Sequence, residues 1–223
     1  MRVSKLILVA IAIVAVACSP SEQSSEIKDV AKIGALISKE TAMAMLGMNN
    51  TAGRQIQPEA FIYGKTMLQQ ILSTPGAEGI LIYNGQDKAR AMKLVFRPAG
   101  ASGDAVAGSY TYDEGMVCPP VCPKENISSI GKVVNPAEAK TWIANFQSAN
   151  KDRARSFLFG KDIFNQLLAQ PGVAGIAFMK GSKASGEDAM VLIGVTQDGT
   201  LLWDSGGDAG LPCPPYCSAS ASN

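Results

Sequence analysis

Residues 61–83 read FIYGKTMLQQILSTPGAEGILIY and residues 157–179 read FLFGKDIFNQLLAQPGVAGIAFM, identical at nine of 23 positions with a constant offset of 96. Outward from this core, each copy runs on to a cysteine bracket, Cys118-Pro-Pro-Val-Cys122 and Cys213-Pro-Pro-Tyr-Cys217. A repeat of this kind makes the chain its own comparison. Features kept in both copies belong to a shared unit, and features of one copy do not.

Periodicity assigns the elements of the unit. Asn135-Pro136-Ala137-Glu138 is a helix start, with a capping Asn, Pro at the first helical position and an acid in the first turn. Ala139, Trp142, Ile143 and Phe146 then mark one helical face. In the first copy Ser38 takes the cap, and Ala42, Met45 and Leu46 mark the face. A second helix follows Gly64 and Gly160. Its apolar stripe is Met67, Leu68, Ile71 and Leu72 in one copy and Ile163, Phe164, Leu167 and Leu168 in the other. Pro75-Gly76 and Pro171-Gly172 stop both helices.

Aliphatic runs at 80–83 and 92–97, and at 176–179 and 190–196, predict strands. A third strand ends in Tyr112-Asp113 and in Trp203-Asp204. Gln197-Asp198-Gly199 is a tight hairpin turn, which the first copy expands into a Gly/Ala-rich loop at 98–108.

The chain is therefore expected to be α+β, a tandem duplication of an α-α-β-β-β unit. Units this small bury too little surface alone. Two are expected to pack about a pseudo-two-fold axis, with antiparallel strands in one joined sheet or two and helices on one side. Unit 1 spans 31–122, a linker 123–134, unit 2 135–217 and a disordered tail 218–223.

The N-terminus reads as an address. Arg2 and Lys5 precede twelve apolar residues at 6–17. A bilayer span needs about 20, so the segment fits a signal peptide instead. Ala15-Val16-Ala17-Cys18 resembles a bacterial lipoprotein cleavage box, with Ala15 where Leu is usual. The resemblance implies removal of 1–17 and lipidation of Cys18, palmitate included. Ser19 in place of Asp after the cysteine implies the outer membrane. Residues 18–30 read as a polar flexible tether.

Loss of 1–17 removes Arg2 and Lys5 and takes the formal charge from +1 to −1. No basic stripe remains, so nucleic acid is not an expected partner. Histidine is absent, which excludes His-dependent nucleophiles, bases and metal ligands. No cofactor is expected, and the balance of the chemistry leans away from an enzyme.

Cys118, Cys122, Cys213 and Cys217 form an even set, which reads as two disulfides in an oxidising compartment. Three connectivities exist. The local one, Cys118–Cys122 and Cys213–Cys217, gives each unit its own staple. An extended Pro-Pro bracket spans roughly 12 Å, whereas a disulfide needs Cα atoms within about 7 Å. Local closure therefore requires a turn, one form of which has a cis X-Pro bond. Cross-pairing requires the brackets to meet in space. The competing readings are thiol redox exchange and capture of a soft metal by the same four thiolates.

Among residues kept in both copies, Lys65 and Lys161 stand at helix starts, where anions bind, and a solvated lysine is the bland alternative. Gly64-Lys65-Thr66 is no phosphate loop, because Glu59 stands where that motif needs Gly. Asp113 and Asp204 each follow an aromatic at a strand end. A carboxylate pair across an axis does acid–base work, while turn capping is the commoner role.

The segments Phe159-Gly160-Lys161, Gln170-Pro171-Gly172 and Pro212-Cys213-Pro214-Pro215-Tyr216-Cys217 resemble those of an uncharacterised group of bacterial proteins. The likeness covers most of 135–217. The first copy departs with Thr74 for Gln170 and Val117 for Pro212. The resemblance carries no activity. The expected protein is a lipid-anchored envelope binding module, attached to the membrane by its lipid and engaging an envelope protein or a small ligand between its units. A thiol-based metal or redox lipoprotein is the alternative.

Overall fold

The structure, a computed structural model, describes residues 29–48, 59–118, 126–208, 210–214 and 216. The signal segment, Cys18, most of the tether, Cys122, Cys217 and the tail at 218–223 lie outside the described residues. The first half contributes β1 (Ala35–Ile37), α1 (Lys39–Met45), β2 (Ala60–Gly64), α2 (Lys65–Leu72), β3 (Gly79–Gln86), β4 (Met92–Ala99), β5 (Tyr112–Asp113) and β6 (Met116–Cys118). The second contributes β7 (Lys132–Val133), α3 (Pro136–Ala149), β8 (Ser156–Gly160), α4 (Lys161–Leu168), β9 (Val173–Ser182), β10 (Asp188–Thr196), β11 (Leu201–Asp208) and β12 (Leu211–Cys213). The protein is α+β.

The strands form two antiparallel six-stranded sheets, β1-β11-β10-β9-β2-β6 and β12-β8-β3-β4-β5-β7. Each sheet is built from both halves. β2 leaves its own half to pair with β9, setting Phe61 opposite Phe178 and Tyr63 opposite Ile176. Reciprocally, β8 pairs with β3, setting Phe157 opposite Ile82 and Phe159 opposite Ile80. β1 adds to β11, and β7 to β5.

The expected α-α-β-β-β unit is thus corrected: a strand precedes each second helix, and short strands open and close each half. The segment at 123–134, expected as a linker, carries a 3-10 turn at Ile127–Ser129 and then β7. These strands are two to five residues long. Such runs are too short to show a period, and only pairing with the other half makes them strands.

Alternation along the strands separates two faces. Ile80, Ile82, Leu94, Phe96, Ile176, Phe178, Met190 and Leu192 point inward with Met67, Leu68, Ile163 and Phe164 of α2 and α4 into one core. Phe96 and Phe178 meet across the sheets at 5.1 Å between centroids, and Tyr63 and Phe96 at 4.4 Å. The outward faces are covered too. Ala42, Met45 and Leu46 of α1 pack on Val191 and Ile193, while Ala139 and Trp142 of α3 pack on Val95. Helices therefore lie on both outer faces and inside, correcting the expected one-sided layer. Strands buried on both faces explain the unbroken aliphatic runs.

The caps read from the sequence form as expected. Ser38 accepts from Thr41 N at 3.3 Å and Asn135 from Ala137 N at 2.9 Å. Gly160 is where the halves interlock. Its N–H donates to Ile33 O at 2.7 Å, and its missing Cβ leaves room for the carbonyls of Val30 and Ala31. Gly64 does the same against Ile130 O at 2.8 Å. Their conservation between copies thus has a steric cause in addition to a helix start.

Candidate functional site

Lys65 and Lys161 do not share a cleft. Lys65 Nζ donates to Leu168 O at the end of α4, at 2.7 Å. Lys161 Nζ pairs with Glu78, just beyond the end of α2. Lys65 thus reaches a carbonyl at the C-terminus of the other half's helix, where a cation is favoured, and Lys161 reaches the residue that precedes β3 of the other half. Glu78 holds the Lys161 amine above its ordinary value, chiefly through their hydrogen bond. Both lysines are joints.

Asp113 and Asp204 do not form a pair. The register sets Tyr112 opposite Phe96 and Gly207 opposite Leu192. Phe96 and Leu192 are 96 residues apart, so the counterpart of Asp113 is Asp208, also buried, while Asp204 is exposed. The β10–β11 pairing shifts register between Ile193 and Gly194, and that irregularity displaces the Trp203-Asp204 motif. Asp113 sits beneath the sheet, accepting from Tyr63 Oη at 2.7 Å, with Lys93 Nζ 4.0 Å from its other oxygen. Burial pushes its carboxyl up, opposed by the Tyr63 hydroxyl and the Lys93 charge. Its solvent exposure is 2%, so it holds the core together out of reach of a substrate.

Cys118 and Cys213, the described cysteines of the two brackets, lie far apart. Tyr63 on β2 touches Leu94 on β4 and Asp113 on β5. The β2–β6 edge of one sheet therefore covers the β5–β7 edge of the other, and β12 lies at the opposite edge. With strands about 4.8 Å apart, Cys118 and Cys213 are separated by roughly 20 Å or more. At the second bracket Tyr216 N donates to Pro212 O at 3.0 Å, and the Cys213–Pro214 bond is cis.

The cavities lie where the halves diverge. One groove of about 470 Å³ lies between α3 and the outer face of the second sheet. Its floor is Tyr83, Val95 and Arg97, its helical wall Ala139, Lys140, Ile143 and Gln147, and its far rim Ala105, Ser109 and Thr111. That rim is built by the loop which only the first copy expands. The floor positions equivalent to Tyr83 and Arg97 are Met179 and Ile193, fully buried under α1. Arg97 Nε is buried with no hydrogen-bond partner, and none of the ion pairs among the described residues involves Arg97. Burial raises the Tyr83 phenol, which the Arg97 charge opposes. The sequence reading set this loop aside because it broke the repeat, and that break was the signal for the groove.

A second cavity, of about 290 Å³, opens at one end of the sandwich and is lined by Asn84, Met92, Phe146, Asn150, Arg153 and Lys180, among others. Lys180 Nζ stands 5.1 Å from the Phe146 ring centroid. Burial pushes its amine down to about 8, with Arg153 adding to the shift and Glu59 and Asp188 opposing it. Between pH 8 and the unfolded value near 10.5 the unfolded chain holds this proton and the folded one does not. Stability therefore rises with pH across that window, and the burial penalty is fully present below it. Lys180→Met is expected to stabilise the protein at pH 7 by about 1–2 kcal/mol, net of its lost cation–π contact. Urea midpoints at pH 7 and pH 10 check this; the gain should shrink at pH 10, and an equal gain at both refutes it.

Among the described residues, no group of three or more Cys, Asp or Glu side chains is placed to hold a metal, and no helix is long and apolar enough to cross a membrane. No protein-family model matches the chain, and neither the curated proteins nor the solved structures contain a significant match.

Proposed function

We propose that the protein is a lipid-anchored binding module of the bacterial envelope, non-enzymatic, with its ligand site in the groove between α3 and the second sheet. The observation that carries the binding reading is that groove, of about 470 Å³, walled by a helix of one half and floored by strands of the other. Its volume and its mixture of apolar walls and few polar groups suit a small ligand. The anchor reading rests on the Ala15-Val16-Ala17-Cys18 box and the polar tether after it. In the same reading each bracket closes as a local disulfide, Cys118–Cys122 and Cys213–Cys217. The turn at 212–216 and the separation of Cys118 from Cys213 support this, and that separation weighs against one four-thiolate metal centre. The envelope, and its outer membrane, is the proposed location.

Two measurements test the reading. Expressed in a bacterial host, the protein should partition into the detergent phase on cloud-point separation and incorporate labelled palmitate, and Cys18→Ala should abolish both. Retained labelling in Cys18→Ala would refute the anchor. Ile143→Trp fills the groove from its helical wall and should abolish binding of whatever small molecules a thermal-shift screen of the intact protein returns; undiminished binding would place the ligand elsewhere.

A further inference from the structure

We propose that the groove between α3 and the second sheet is a site for a small organic acid, whose carboxylate pairs with Arg97 and whose apolar body lies on Val95, Ala139 and Ile143. The inference rests on the groove reading above and names the ligand class for that site.

Three observations converge on Arg97. First, the internal comparison isolates it. Its counterpart Ile193 is fully buried against the apolar residues under α1, so the fold has no need of a cation at this strand position. Second, Arg97 Nε is buried and has no hydrogen-bond partner among the described residues, and an unpaired polar group at such a site carries a desolvation cost that a ligand removes. Third, Asp104, the acid whose charge is felt at Tyr83, accepts from Ser102 Oγ at 2.9 Å within the loop. Lys140 lines the same groove from α3, so the charge within it is cationic.

The ligand chemistry follows from the geometry of the groups. A guanidinium presents parallel N–H donors that match a carboxylate bidentately. The opposite wall is apolar, with Ala139 buried and Ile143 partly so. Ser109 Oγ on the rim, whose proton goes to Val106 O at 2.6 Å, can still accept from a polar group on the ligand. An anion without an apolar body would leave the partly exposed Ile143 side chain uncovered, which distinguishes an organic acid from free phosphate.

The test is calorimetric titration of the intact protein with 3-phenylpropionate, octanoate, their neutral amides and inorganic phosphate. The acids should bind more tightly than their amides by roughly 10- to 100-fold, the range for one charge-assisted pair. Arg97→Ile, which copies the residue of the other half, should erase that difference by weakening the acids far more than the amides, and Arg97→Lys should keep part of it. Circular dichroism and the thermal midpoint report whether Arg97→Ile folds, and Arg97→Gln is the substitute if it does not. Equal binding of acids and amides to the unaltered protein, blocked by Ile143→Trp, would overturn the anion inference and leave the groove reading standing. Phosphate binding as tightly as the acids would overturn the organic-acid assignment. No binding of any of these compounds below about 10 mM, the millimolar limit of useful affinity, would overturn both.

Discussion

Phe178→Ala is expected to destabilise the protein by about 3–5 kcal/mol. Phe178 is fully buried on β9 and touches three elements, two of which come from the other half of the chain. Its ring centroid lies 5.1 Å from Phe96 in the facing sheet, 5.7 Å from Tyr63 on the exchanged strand and 6.4 Å from Phe164 on α4. The counterpart positions carry Ile82, Leu192, Phe159 and Leu68, so three of the four rings have no aromatic counterpart in the other copy. Removing the ring opens a cavity between two sheets whose strands are fixed by their ladders, and little collapse is available to relieve it. Urea denaturation of the intact protein measures the loss. A cost below about 1 kcal/mol, typical of a well-relaxed site, would show that the sheets do not pack face to face through this residue.

Gly160→Ala should cost about 3 kcal/mol, the upper end for overpacking, although it adds one methyl group. The new Cβ would overlap the carbonyl oxygens of both Val30 and Ala31. Those are backbone atoms in the opening turn of the other half, and they cannot rotate away as a side-chain tip can. Relief requires moving that turn off Gly160, which breaks the 2.7 Å bond from its N–H to Ile33 O. Gly100→Ala is the control, because the nearest atom to its added Cβ is Gly76 O at 3.7 Å. It should change stability by no more than about 0.5 kcal/mol. If the two substitutions cost the same in denaturant titrations, the interlock of the halves is not as described.

Much of the architecture was legible because it is local. The stripe Met67, Leu68, Ile71 sets α2 by its own period, Asn135 and Pro136 set the start of α3, and the aliphatic runs of β3, β4, β9 and β10 are long enough to declare themselves. β2 and β8 were not legible as strands. Phe61-Ile62-Tyr63 and Phe157-Leu158-Phe159 are three residues followed by glycine, and their ladder partners in the other half lie more than 70 residues away. The lysines stand out by their repetition, but repetition does not separate a site from a joint: Lys65 ties to the end of α4 and Lys161 to Glu78 before β3, each in the other half. The groove was missed for the converse reason. Arg97 and the loop at 98–108 break the repeat, and a comparison that favours what recurs discards them.

By itself the sequence determined the α+β class, the helix stripes and caps, the longer strands and the doubling of the pattern, because each depends on contacts within a few residues or on the plain identity of two segments. Tertiary structure alone decided which half each strand joins, that helices cover both outer faces, that Asp208 rather than Asp204 matches Asp113, and that Arg97 Nε, at a groove, has no hydrogen-bond partner among the described residues. Those outcomes depend on what lies across a sheet or under a helix, and burial and pairing at that range leave no period along the chain.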